Sequence, residues 1–241
     1  MPVLQVDETS ISFTIRYSKR SKRQRIIVSP KGVEVVAPIN TPEQLIFKFI
    51  NSKKDWLFKT VTETIIKYPQ KLPQRYINGE KVMYRGSYFL LNIDSNNVKK
   101  VIINYENCFN IQVPQNLNED EKEVVVKQAL IDWKREKVYF DILKFAQIYA
   151  GKLNVQPKSI KLSQQKRAWG TCSSKGSIRI NWRLADAPLP VLEYVVAHEL
   201  THLLHHNHSK DFWQALSNIM PDYKQRKVDL KSWEIELLPL E

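Results

Sequence analysis

The feature that most constrains this chain is the run His198-Glu199-Leu200-Thr201-His202, followed six residues later by His208. All five histidines of the 241 residues, His198, His202, His205, His206 and His208, lie in this window. A chain using histidine only for packing would scatter them. Leu189, Leu192, Val195, Val196 and Leu203 recur at helical spacing, which predicts a helix over 189–204. Residues i and i+4 of a helix share a face. His198 and His202 therefore aim two imidazole nitrogens at one point, with Glu199 beside it. Histidines so spaced hold Zn2+, and the glutamate between them takes a proton from the water the ion activates.

A catalytic zinc site takes a third protein ligand and keeps one position open. His208 is the candidate, with His205, His206 or a distant carboxylate as alternatives. Its spacing from His198 is that of the metzincin pattern, but that pattern has a glycine where His205 stands. Asn207 tolerates left-handed backbone and is expected to end the helix so that His208 can turn back. Ser209 reads as the N-cap of a following helix, with Asp211 in its first turn.

The chain is 43% apolar, enough for a substantial core. No apolar run approaches the ~20 residues of a membrane helix, and residues 1–7 carry no signal-peptide pattern. Without one, Cys108 and Cys172 are expected to be reduced thiols. The expectation is a soluble cytoplasmic protein with no membrane partner. A net charge of +12 favours anionic partners. No short-period repeat is apparent.

Residues 3–37 read as strands, from the alternation at 11–16 and the β-branched Ile26-Ile27-Val28. Arg16, Lys19, Arg20, Lys22, Arg23 and Arg25 crowd into ten residues there. Such a cluster either binds phosphates, as in a nucleic acid, or forms a solvated hairpin end. Thr41 and Gln44 make a capping-box pattern for a helix running to about residue 68. Short strands are expected at about 75–78, 81–85, 87–93, 99–105 and 109–113, with hairpin signals at Asn78-Gly79 and Arg85-Gly86. A long helix over 118–151 follows, acidic at its start and stopped by Gly151. Strands near 160–162 and 178–182 flank the stretch 167–176, where Cys172 is a small thiol, a nucleophile or a metal ligand. Two helices close the chain, one through Phe212, Trp213, Leu216 and Ile219 and one over 223–233. Tyr223, Arg183 and Arg167 are candidate oxyanion or substrate contacts.

The fold class is thus α+β. A mostly β N-terminal domain, 1–115, carries one long helix. A catalytic domain, 116–241, holds the HExxH helix.

Several stretches resemble the YgjP-like metal-dependent hydrolases, relatives of the WLM and SprT-like zinc metallopeptidases. They are His198-Glu-Leu-Thr-His-Leu, Asn207-His208-Ser209, Phe212-Trp213, Trp169-Gly-Thr-Cys-Ser-Ser-Lys-Gly, Asn181-Trp-Arg-Leu and Pro221-Asp-Tyr. Ser18-Lys-Arg-Ser-Lys-Arg and Pro30-Lys-Gly also fit, so the likeness covers nearly the whole chain. Thr201 and Thr171 stand where other small residues are common. The resemblance implies a zincin-like core, a Zn2+ cofactor and an edge strand beside the metal.

The expected activity is that of a zinc metallopeptidase acting on protein or peptide, with Glu199 as base and His198, His202 and His208 as ligands. Two alternatives stay open. One is a metal-dependent nucleoside triphosphate pyrophosphohydrolase, with a nucleotide held by the basic cluster. The other is a nucleic-acid-associated protein with a structural zinc.

Overall fold

A computed structural model describes residues 2–6, 9–29, 32–67, 74–165 and 168–237. The chain divides into two compact units, Met1–Leu72 and Pro73–Pro239. The sequence reading put the boundary at 115. The difference has a packing cause. Val126, Leu130 and Trp133 of the long helix share a core with Val82, Tyr84, Leu91 and Phe109, so the second group of strands goes with that helix.

The first unit has strands β1 (Val3–Val6), β2 (Thr9–Ser18), β3 (Arg25–Ser29) and β4 (Gly32–Pro38), in the order β1-β2-β4-β3. β2 and β4 run parallel and the other pairs antiparallel. In β2 the two-residue alternation sends Ile11 and Phe13 inward and Ser12 and Thr14 outward. Helices α1 (Glu43–Asn51) and α2 (Lys54–Lys67) bring Ile46, Ile50 and Leu57 onto Phe13 and Val35. The expected single helix is two. Ser52 caps α1, its hydroxyl donating to the Phe49 carbonyl (2.7 Å). Thr41 does not cap α1, because its hydroxyl donates to the Pro38 carbonyl of the preceding turn (2.9 Å).

In the second unit β5 (Lys81–Tyr84), β6 (Ser87–Asn96), β7 (Ile102–Tyr105) and β8 (Phe109–Pro114) repeat that strand order and those directions. The parallel registers even end alike, on Ser18↔Pro38 and Asn96↔Pro114. Residues 75–78 are not a strand. The spine of this unit is α3 (Glu119–Leu153), started by a full capping box between Asn118 and Glu121. It runs through Gly151, the expected stop, and ends instead where Asn154 takes φ 52°. Val126 and Leu130 of α3 face the β5–β8 sheet, while Val138, Ile142, Ala146 and Tyr149 enter a second core.

That second core holds a three-stranded sheet of β9 (Ser159–Ser163), β10 (Gly170–Cys172) and β11 (Ser177–Asn181), ordered β10-β11-β9. Around it lie α4 (Leu189–Thr201), α5 (Lys210–Ile219) and α6 (Tyr223–Leu237). The β5–β6 turn is tied to the segment entering α4. Arg85 and Gly86 donate their N–H groups to the carbonyls of Ala185 and Asp186 (3.0 and 2.8 Å). Gly86, at φ +81°, permits this contact, since a Cβ there would lie 2.7 Å from Pro188. Among the described residues no helix is long and apolar enough to cross a membrane.

Candidate active site

Helix α4 is apolar around its whole circumference, and such a helix is buried. Val191, Leu192, Tyr194, Val195, Val196, Ala197 and Leu200 are all in the core. It opens with Pro190 in its first turn, where a missing N–H costs nothing. It closes sooner than expected, at Thr201. Leu203 and Leu204 donate back three residues, to Leu200 and Thr201, tightening the last turn. Asn207, the expected stop, is not left-handed. As predicted, Ser209 caps α5, accepting from the Phe212 N–H (3.3 Å), with Asp211 in the first turn.

The chain turns back through these residues so that His208 reaches His198 and His202. One ring nitrogen from each of the three lies within 4.8 Å of the others, the arrangement of a metal-binding group. His205 and His206 are not in it. The Nε2 atoms of His198 and His208 are 2.9 Å apart. Two nitrogens bound at about 2.0–2.1 Å to a tetrahedral ion stand roughly 3.3 Å apart, so a shift of tenths of an ångström admits one. The Nδ1 of His202 contacts the His205 carbonyl at 3.0 Å. A carbonyl only accepts, so Nδ1 carries the proton and Nε2 keeps its lone pair for a metal. Phe212 and Trp213 wall the imidazoles, Trp213 stacking on His208 at 5.4 Å. The donor set fits a zinc-like ion.

Electrostatics favour neutral imidazole. Burial pushes His198 down to about 3, helped by His202, His208 and Lys227. Burial also lowers His202. Neutral imidazole is the form that binds metal. The Glu199 carboxyl, 6% exposed, is pushed up by burial to about 7. It leans on β10, and a Cβ built on Gly170 would meet its Cγ, Oε1 and Cδ at 2.5, 2.6 and 2.7 Å. The segment before Gly170 is pinned by Asn181, whose side-chain amide donates to the Gln165 and Ala168 carbonyls (2.8 and 3.2 Å).

These shifts have opposite signs in metal-free protein. Folded His198 binds fewer protons than the unfolded chain between pH 6.5 and about 3, so its contribution falls as pH drops through that window. Folded Glu199 keeps a proton that the unfolded carboxyl loses between 4.5 and about 7, so its contribution falls as pH rises there. The two offset each other between 4.5 and 6.5. In chelator-stripped Glu199→Gln only the histidine slope remains. Relative to stripped wild type, the variant should gain melting temperature steadily from pH 4.5 to 6.5. Parallel curves would contradict these shifts.

The other candidates are placed as follows. Tyr223 stacks on Trp213 (5.5 Å), two rings from His208. Arg183 lies over the Trp182 ring and donates to the Gln164 carbonyl, contacts that do not involve the histidines. Arg167 lies outside the described residues. Cys172 is a free thiol outside the metal-binding group, raised by burial and by Glu199, the reverse of what activates a nucleophile. Two neighbours are given no site role by the sequence. They are Gly170, though it lies in a motif, and Lys227, whose Nζ stands 4.6 Å from the Trp213 ring centroid.

The family model of the YgjP-like metallopeptidase domain matches residues 22–233. The chain belongs to the YgjP-like family. Among curated proteins it is similar to UTP pyrophosphatase of Escherichia coli (strain K12), 30% identical over 92 residues. That match covers 37% of this chain and 55% of the relative, so the chain spans about half the relative's length. Among solved structures it is similar to the metallopeptidase zymogen of Pyrococcus abyssi abylysin, at TM-score 0.36 and 18% identity. That likeness covers 38% of this chain and 92% of the other.

Proposed function

We propose that this YgjP-like chain is a zinc-dependent peptidase with a zincin-like core. His198, His202 and His208 hold the ion and Glu199 is the general base. The observation that carries the reading is the convergence of three imidazole nitrogens beside a buried carboxylate. When bound, the ion supplies Lewis acidity and brings the pKa of water from 15.7 to about 7. Glu199 accepts the proton of the attacking water and returns it to the leaving amine. β10, the edge strand of its sheet, offers an extended peptide a ladder partner next to Glu199. Of the two described candidate oxyanion contacts, Tyr223 and Arg183, Tyr223 is the one the stack on Trp213 links to His208.

The test uses purified full-length chain with an unfolded protein and with UTP, each with and without chelator. Chelator-sensitive peptide cleavage supports the reading. Chelator-sensitive release of pyrophosphate without cleavage overturns it in favour of a second reading, a nucleoside triphosphate pyrophosphohydrolase.

The second reading has its own observation. Lys227 holds a cation beside the metal-binding group through Trp213, suited to a phosphate. The Escherichia coli relative, a UTP pyrophosphatase, points the same way. A hydrogen bond to a charged group contributes about 1.5–3 kcal/mol. On this reading Lys227→Ala raises KM for UTP at least about tenfold, with kcat and metal content unchanged. Equal kinetics in variant and wild type would remove Lys227 from substrate binding.

A further inference from the structure

Residues 1–72 carry +7 of the net +12, holding 13 Lys and Arg against six Asp and Glu. The β2–β3 connection is their densest part. Lys19, Arg20, Lys22, Arg23 and Arg25 are all exposed. Arg16, in the same run, is spent on a two-pronged pair with Glu34 (2.7 and 2.9 Å). Among the described residues Lys19, Arg20, Lys22 and Arg23 form no ion pair.

The fold contains its own control. The β6–β7 connection, 97–101, occupies the same topological position in the second four-stranded sheet. It closes the same arrangement with two cations, Lys99 and Lys100. Four like charges within the six residues of one connection, with Arg25 next to them at the start of β3, repel one another, and this topology does not need them.

The loop is also shaped. Ser21 donates its N–H to the Ser18 carbonyl (3.3 Å) and its hydroxyl to the Arg23 carbonyl (2.8 Å). The Arg20 N–H points to the Ser18 hydroxyl (3.3 Å). The turn so formed borders an open concavity lined by Ser18, Arg20, Ser21, Lys22, Arg23 and Arg25, along with Gln24, and no apolar side chain. Tyr17, the residue before Ser18 in β2, is 44% exposed.

We infer that this loop binds the phosphate backbone of a single-stranded nucleic acid. Arginine guanidinium matches phosphate with paired hydrogen bonds. A recess suits one strand better than a flat bilayer, and stable membrane docking needs an apolar or lipid anchor that this lining lacks. Tyr17 offers a base a stacking face. The inference is independent of the reaction at Glu199.

The experiment is fluorescence anisotropy of the full chain with a labelled single-stranded oligonucleotide across a salt series. Arg20→Gln/Lys22→Gln/Arg23→Gln should bind at least about tenfold more weakly. Its salt slope should fall by about 2, because three cations each release about 0.7 of a counterion on single strands. Lys99→Gln/Lys100→Gln should bind as wild type does. Unchanged affinity or slope in the triple variant overturns the inference, as does an equal loss in the control. So does tighter binding to phosphatidylserine vesicles than to the oligonucleotide at the same salt. Melting curves confirm that both variants are folded before either is compared.

Discussion

Glu199→Gln is expected to lose hydrolysis by roughly 10²–10⁴-fold, the range that a positioned general base contributes, while the protein still binds zinc. Gln has nearly the volume of Glu, so the packing on β10 survives. What disappears is a carboxylate able to take a proton. Removing water from around that carboxyl raises it to about 7, and an efficient base has its pKa near working pH. A bound dication favours the charged form and draws the value down again. Metal content by elemental analysis and turnover on the same preparation give the result. A metal-loaded Glu199→Gln protein as active as wild type would remove Glu199 from the chemistry.

The sequence exposes some parts of this molecule and hides others, for physical reasons. The histidine pair was legible because a helix fixes the i, i+4 relation locally, and α4 starts at Leu189 as its apolar spacing requires. His208 was legible as a candidate, but choosing it over His205 and His206 takes the path of 202–209, where 203–205 bond back to Leu200 and Thr201 and the His202 ring contacts the His205 carbonyl. Caps were legible where the side chain had no competing partner. Ser209 caps as expected, whereas Thr41 finds Pro38 first; Asn118, at the expected start of the long helix, proves to be its cap. Gly151 failed as a stop because a glycine inside a long packed helix costs only about 1 kcal/mol. The shared topology of the two four-stranded sheets left no short-period pattern. Lys227 sits in an ordinary-looking polar helix, and its place beside Trp213 depends on α5 and α6 meeting.

Gly170→Ala is expected to cost about 10²-fold in turnover without altering the metal site, the penalty typical of a catalytic group displaced by about 1 Å. Gly86 is a glycine because of its backbone angle and a close neighbour. Gly170 is not at positive φ, so alanine suits its backbone. The conflict is spatial. Three Glu199 atoms lie within 2.7 Å of the new methyl, far inside van der Waals contact. Asn181 pins the chain just before β10, and β11 holds β10 in register, so the strand resists retreat. Glu199 can move by rotating its side chain, which takes the carboxylate away from the attacking water. The three atoms nearest the new methyl all belong to Glu199 and none to His198, His202 or His208, so the ligands are expected to keep their positions. Zinc affinity in Gly170→Ala should therefore match wild type while kcat falls. The decisive measurement is a double variant. If the methyl acts through Glu199, Gly170→Ala should lower turnover no further in a Glu199→Gln background, since groups acting as one unit are non-additive. A full additional 10²-fold loss there would mean that Gly170 serves the substrate strand directly and does not act by seating the base.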